Sequence, residues 1–87
     1  MYHVKLLDSA VRDLASLDKA TAKRIANRLQ WLAQNFENLQ RDALKGEFSD
    51  FYKFRVGDYR ILYKVLEDEK FLQIHAIGHR GEIYRGK

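Results

Sequence analysis

FYKFRVGDYRILYKV, running from Phe51 to Val65, is two runs of strand-forming residues joined by Gly57-Asp58. Aromatic and β-branched side chains dominate both runs, and a two-residue link led by glycine predicts a tight hairpin with a type II′ turn. Pairing Val56 with Tyr59 sets Arg55 opposite Arg60, Phe54 opposite Ile61, Lys53 opposite Leu62 and Tyr52 opposite Tyr63. Directly paired residues share one side of a sheet, and successive residues alternate. One side therefore collects Tyr52, Phe54, Val56, Tyr59, Ile61, Tyr63 and Val65, a surface that needs a cover. The other carries Lys53, Arg55, Arg60 and Lys64 around Leu62. Like charges directly opposite, as at Arg55 and Arg60, destabilise a sheet by a few tenths of a kcal/mol or more. Four cations with no anion between them do not serve stability. They point to a site for a polyanion, against the plainer reading of a solvated outer face.

Outward from the hairpin, Glu67 to Lys70 is a four-residue link of acidic and turn-forming character, and Phe71 to Gly78 reads as a third strand. Unbroken alternation places Leu72, Ile74, Ala76 and Gly78 on the apolar side, and Gln73, His75 and Ile77 on the basic side. Toward the N-terminus, Tyr2 to Leu7 reads as a strand, with Asp8 or Ser9 capping a helix that follows. Val11, Leu14 and Leu17 share one face of that helix, with Arg12 and Asp13 turned away. Asp18 caps a second helix, Lys19 to about Asn35, in which Ala22, Ile25, Ala26, Leu29, Leu32, Ala33 and Phe36 keep the three-and-four spacing of a buried stripe. Between Asn38 and Asp50 the periodicity lapses. The expected fold is α+β: an N-terminal strand, a helical hairpin, then a mainly antiparallel sheet with both helices on one face, as one domain over residues 1–87.

A chain of 87 residues holds one small core. The absence of cysteine excludes disulfides, thiolate metal sites and cysteine nucleophiles together. No apolar run approaches the roughly 18–20 residues that a membrane span requires, and MYHVKLLDSAVRD does not read as a signal peptide, so a cytoplasmic location is expected. Sixteen Lys and Arg against twelve Asp and Glu give a net charge of +4, which favours an anionic partner. Residues 1–42 carry seven basic and five acidic groups and residues 43–87 nine and seven, so folding must assemble any basic patch. His3, His75 and His79 lack a closely spaced carboxylate partner, and neither a metal nor a cofactor is expected. His75 and His3 read as strand residues without chemistry, and Glu67 to Glu69 as a solvated turn. Gly57 and Gly78 to Gly81 lie in no strand–glycine loop–helix arrangement, which excludes a nucleotide-phosphate loop.

LKGEFSDFYKFRVGDYRILYKV (Leu44 to Val65) followed by IGHRGEIYR (Ile77 to Arg85) resembles the RelE branch of the RelE/ParE toxin superfamily. The resemblance covers nearly the whole chain, from the first strand to the Gly-His-Arg and Tyr-Arg tail. It implies a RelE-like fold and a type II toxin that cleaves mRNA in the ribosomal A site until a cognate RelB-like antitoxin neutralises it. It further implies activity roles for Lys53, Arg55, Arg60, Arg80 and Tyr84. Arg55 stands where lysine also occurs in the family, and the spacing from Arg80 to Tyr84 is shorter than in the best-studied member. Operator DNA would be bound only indirectly, through the antitoxin.

RNA cleaved through its own 2′-OH needs a base, cations for the charge building on phosphorus and an acid for the 5′-oxygen. The substrate supplies the nucleophile. Arg55, Arg60 and Arg80 remain protonated and suit phosphate positioning and charge stabilisation, with Lys64 and Arg85 as further RNA contacts. Lys53 or His79 is the candidate base, the other or Arg80 assisting the leaving group. Tyr84 can stack on a base or orient the 2′-OH, or simply lie against the sheet edge. Trp31 lies off the buried stripe in line with Arg24 and Arg28, and the three are candidates for the antitoxin interface. Two rival readings remain: a ParE-like poison of DNA gyrase, a branch whose chains generally lack the full set of Lys53, Arg55, Arg60, Arg80 and Tyr84, and a nucleic-acid-binding module that uses the same basic face without catalysis.

Overall fold

The computed structural model describes residues 1–39, 41, 43–44 and 50–83. In chain order these form β1 (His3–Leu6), α1 (Asp8–Ala15), α2 (Lys19–Asn35), a 3-10 turn (Phe36–Asn38), β2 (Tyr52–Val56), β3 (Tyr59–Leu66) and β4 (Phe71–His79). The strands make one sheet in the order β1-β4-β3-β2. β2 and β4 both run antiparallel to β3, whereas β1 lies parallel to β4. The α+β architecture is the expected one. Ala10 from α1, and Ile25, Leu29, Leu32 and Ala33 from α2, join Val56, Ile61, Tyr63, Leu72, Ile74 and Ile77 in a single core on one face of the sheet.

The hairpin has the expected register, from Val56 opposite Tyr59 to Tyr52 opposite Tyr63. Gly57 takes φ +59° and Asp58 does not share the positive sign, the combination that a II′ turn requires. The third strand departs from its expected alternation. Tyr63 pairs with Ile74 but Leu62 pairs with Ala76, so one extra residue, His75, bulges from β4. Every later side chain changes sides. Ile77 turns into the core opposite Ile61, and Ala76 and Gly78 move to the outer face opposite Leu62 and Arg60. Strict alternation could not show this, because a bulge is an insertion in register that leaves composition unaltered.

β1 covers only Phe71 to Ile74 of its neighbour, and α1 completes the exposed edge of β4. The Leu7 N–H donates to the Ile74 carbonyl at 3.0 Å. Ser9 Oγ donates to the His75 carbonyl at 2.6 Å, and the Ile77 N–H donates to Asp13 Oδ2 at 3.0 Å. Ser9 and Asp8 therefore do not cap α1; Leu7 occupies the cap position and makes no side-chain bond there. Asp13 faces the sheet instead of turning away, and Val11 is exposed. Asp18 does cap α2, accepting the Thr21 N–H at 3.2 Å, and the Thr21 side chain, then that N–H, hold its carboxyl below the usual range. Of the α2 stripe, Ala26 is exposed and Ala22 half-buried; Ile25, Leu29, Leu32, Ala33 and Phe36 are in the core.

Candidate functional site

The face of the sheet opposite the helices has an apolar floor and a charged rim. Leu62, Ala76 and Ile83 are buried together there, with Leu44 and Phe51 against them. Around this floor the hairpin sets Arg55 directly opposite Arg60, and Lys53 opposite Leu62. The Arg60 guanidinium folds back over the turn, its Nη1 donating to the carbonyls of Gly57 and Tyr59, each at 3.0 Å. Those two bonds fix its direction. Arg80 reaches the same turn from the end of β4: its N–H donates to the Asp58 carbonyl at 2.8 Å, and its Nε lies 3.8 Å from Asp58 Oδ1. Arg55, Arg60 and Arg80 thus converge on one end of the face. Asp58 offsets Arg80 only in part, since both side chains are largely exposed.

Lys53 and Arg55 also border a groove of about 450 Å³ between α2 and β2, floored by Phe36, Phe54 and Tyr63. Arg28 stands over the Trp31 ring at 4.3 Å, and Trp31 stacks on Phe54 at 6.3 Å with the rings 18° apart. Arg24 does not join them. Its guanidinium lies against Gly57, adding a further arginine to the turn that already carries Arg60 and Arg80. This contact arises from the packing of α2 over the hairpin, and spacing along the chain gives no sign of it.

The bulge redistributes the histidines. His79 pairs with Tyr59, so it lies on that residue's side of the sheet end and not beside Arg60. Its ring meets Tyr59 edge-on at 5.8 Å, and its Nδ1 accepts the Gly81 N–H at 3.2 Å. His75 stays on the outer face, near Lys64 and against the Phe51 ring at 4.9 Å. Burial first, and then Lys64, hold its pKa below the ordinary imidazole value. His3 leans on Phe71 in the first strand. Tyr84 and Arg85 lie outside the described residues.

At the opposite end of the sheet, Glu67 is not merely part of a solvated turn. Arg41 Nη1 donates to its Oε2 at 2.7 Å and Tyr2 donates to its Oε1 at 3.0 Å. The Arg41 bond, then that from Tyr2, depresses the Glu67 carboxyl, while burial followed by Glu67 raises the Tyr2 phenol. Among the described residues no cluster of His, Cys, Asp and Glu fits a metal ion, and no helix is long and apolar enough to cross a membrane.

Residues 4–84 match the family described as the ParE toxin of the type II toxin–antitoxin system, parDE. A protein of Escherichia coli named as RelE-like toxin is 28% identical over 81 residues, covering 91% of this chain and 83% of that one. The fold is similar to that of the RelBE2 toxin–antitoxin complex from Mycobacterium tuberculosis, with a TM-score of 0.81 at 24% identity over 91% of this chain and 98% of that one. It is also similar to the archaeal RelE–RelB complex from Pyrococcus horikoshii, at a TM-score of 0.67 and 28% identity over 93% and 97%. With its sheet, helical hairpin and matched length taken together, the chain belongs to the ParE toxin family of type II toxin–antitoxin systems, within the RelE/ParE superfamily.

Proposed function

We propose that this toxin is a ribosome-dependent endoribonuclease that cleaves mRNA in the A site and is neutralised by a cognate RelB-like antitoxin. The convergence of Arg55, Arg60 and Arg80 on one end of the outer face, with Lys53 next along β2, carries the reading. In the step envisaged, a base removes the 2′-OH proton and the 2′-oxygen attacks the adjacent phosphorus. The bond from phosphorus to the 5′-oxygen breaks as an acid protonates that oxygen, leaving a 2′,3′-cyclic phosphate and a 5′-OH. The arginines stabilise the charge on the non-bridging oxygens, and preorganised donors of this kind are worth about 10²–10³ in rate each. Lys53 is the base on this reading because His79 lies on the side of Tyr59. Arg80 assists the leaving group, with Tyr84 and Arg85 extending the RNA contact beyond the described residues.

Arg28 and Trp31, at the mouth of the groove along β2, are proposed as the antitoxin contact, with Arg24 at its hairpin end. An acidic segment folding on binding would cover both this groove and the adjoining cations. Operator DNA would then be engaged only through the antitoxin, and the toxin would act in the cytoplasm.

The matched family description favours a second reading, a gyrase poison. The deciding experiment adds purified protein to programmed ribosomes, with 5′ ends mapped beside a ribosome-free control. Cuts at the A-site codon that require ribosomes support the proposal. Intact mRNA from a protein that arrests growth overturns it in favour of gyrase, to be checked by supercoiling assay. Binding without cutting or arrest leaves the non-catalytic module.

A further inference from the structure

The end of the outer face away from the hairpin turn carries side chains that the cleavage chemistry leaves unused. His75 is the extra residue of the β4 bulge, a device that re-aims a side chain. Its ring packs edge-to-face with Phe51 at 4.9 Å, and its Nε2 lies 3.0 Å from Gln73 Oε1. Gln73 pairs with Lys64 across the sheet, and Lys64 Nζ stands 4.8 Å from the centre of the Phe51 ring. Burial, then Lys64, lower the imidazole pKa and so favour its neutral form. A neutral ring that donates from Nε2 to Gln73 retains Nδ1 as an acceptor, while the Gln73 amide retains two N–H donors and Lys64 is a donor throughout.

Acceptor and donors side by side, among flat rings, match the edge of a purine base better than they match a phosphate, which calls for donors alone. Glutamine paired with adenine N6 and N7, and lysine with guanine O6 and N7, are common base contacts. Lys64 lies four positions from Arg60 on β3, a separation of about 13 Å that a short single-stranded segment spans. We propose that His75, Gln73 and Lys64 hold a purine base one short single-stranded span along the face from the phosphate positioned by Arg55, Arg60 and Arg80. The site rests on the RNA-cleaving reading for its biological meaning, but it can be tested without cleavage.

The test is NMR titration of the isolated protein with 5′-AMP, 5′-GMP, 5′-CMP, 5′-UMP and ribose 5-phosphate. The purine nucleotides are expected to shift the His75 ring and Gln73 side-chain amide resonances. Ribose 5-phosphate is expected to shift only groups near the arginines. His75→Ala and Gln73→Ala should each weaken purine binding by roughly tenfold, the lower part of the range for one stacked base. Gln73→Ala, a substitution on the outer face, keeps the comparison alive if His75→Ala unfolds. Equal responses to purine nucleotides and ribose 5-phosphate, or shifts confined to the arginine end, overturn the proposal. Purine-dependent shifts in a protein that leaves mRNA intact on ribosomes overturn the cleavage reading and leave the base site standing.

Discussion

The Ile77 N–H donates to the Asp13 carboxylate at 3.0 Å, joining α1 to the far end of the last strand. Ile77 is 4% exposed, and β1 has already ended at Ile74. Without Asp13 this N–H stays buried and unpaired, which costs about 1–3 kcal/mol. Asp13→Ala is expected to lower the urea midpoint accordingly. Asp13→Asn, which keeps an acceptor oxygen, should lose less, and equal losses would contradict this account.

Gly57 combines a positive φ with the Arg24 guanidinium lying where a Cβ would project. Gly57→Ala therefore meets backbone strain, a loss of about 1–3 kcal/mol, while the flexible end of Arg24 swings aside at little cost. In an Arg24→Ala background the strain remains unchanged. A double-mutant cycle by chemical denaturation should return nearly additive losses; a coupling above about 0.5 kcal/mol would show that the Arg24 contact resists displacement.

The acid range should show three separate contributions. Glu67 and Asp18 are depressed below their ordinary values of 4.5 and 3.8, so what they add is present above those values and lost as pH falls through the folded-state pKa. His75 is also depressed, below 6.5. The unfolded chain therefore binds its proton first, and stability declines as pH drops below 6.5 until the folded-state value is passed. Urea midpoints measured from pH 7.5 to 3 should fall in a step below 6.5 that His75→Gln removes. The lower step should shrink in Glu67→Gln. A His75→Gln profile that keeps the upper step would contradict its assignment.

Arg60 is held by two carbonyl bonds that a lysine ammonium, with a different reach and no planar fork, does not reproduce. On the proposed function, Arg60→Lys retains the charge yet loses its direction. Single-turnover cleavage on ribosomes should fall by roughly 10²-fold, with mRNA-binding affinity changing far less. A rate close to wild type would show that charge alone suffices there.

Asp58 forms an ion pair with Arg80, and Asp58→Asn removes that compensation while the backbone bond from Arg80 to its carbonyl stays available. RNA association should accelerate at low ionic strength, and the gain should vanish as salt screens the face. A gain that persists at high salt would argue for a structural effect.

The hairpin was legible because its information is local: Gly57-Asp58 fixes the turn, and the turn fixes the register of every pair from Val56–Tyr59 to Tyr52–Tyr63. Asp18 and the α2 stripe were legible for the same reason. The bulge was not, since it answers to where Ile77 and the α1 side chains fit in three dimensions. That one insertion accounts for the exchanged sides of Ala76, Ile77 and Gly78, and for the separation of His79 from Arg60. The contacts from Ser9 and Asp13 to β4, from Arg24 to Gly57 and from Arg41 to Glu67 are likewise tertiary. They join residues that local patterning reads independently.

The parallel pairing of β1 with β4 brings His3 to Phe71, so the earliest strand to be synthesised waits for the latest. While the ribosome tunnel still encloses the last strand, β1 has no neighbour and β3 has only one. Helices α1 and α2 can form from local interactions during that interval, but the sheet beneath them cannot close, and a long loop must be closed to complete it. Arg80 joins Arg55 and Arg60 once β4 has paired with β3. Until β4 pairs, Arg80 stands apart from the hairpin cations, and the assembled face exists only once the last strand is in place.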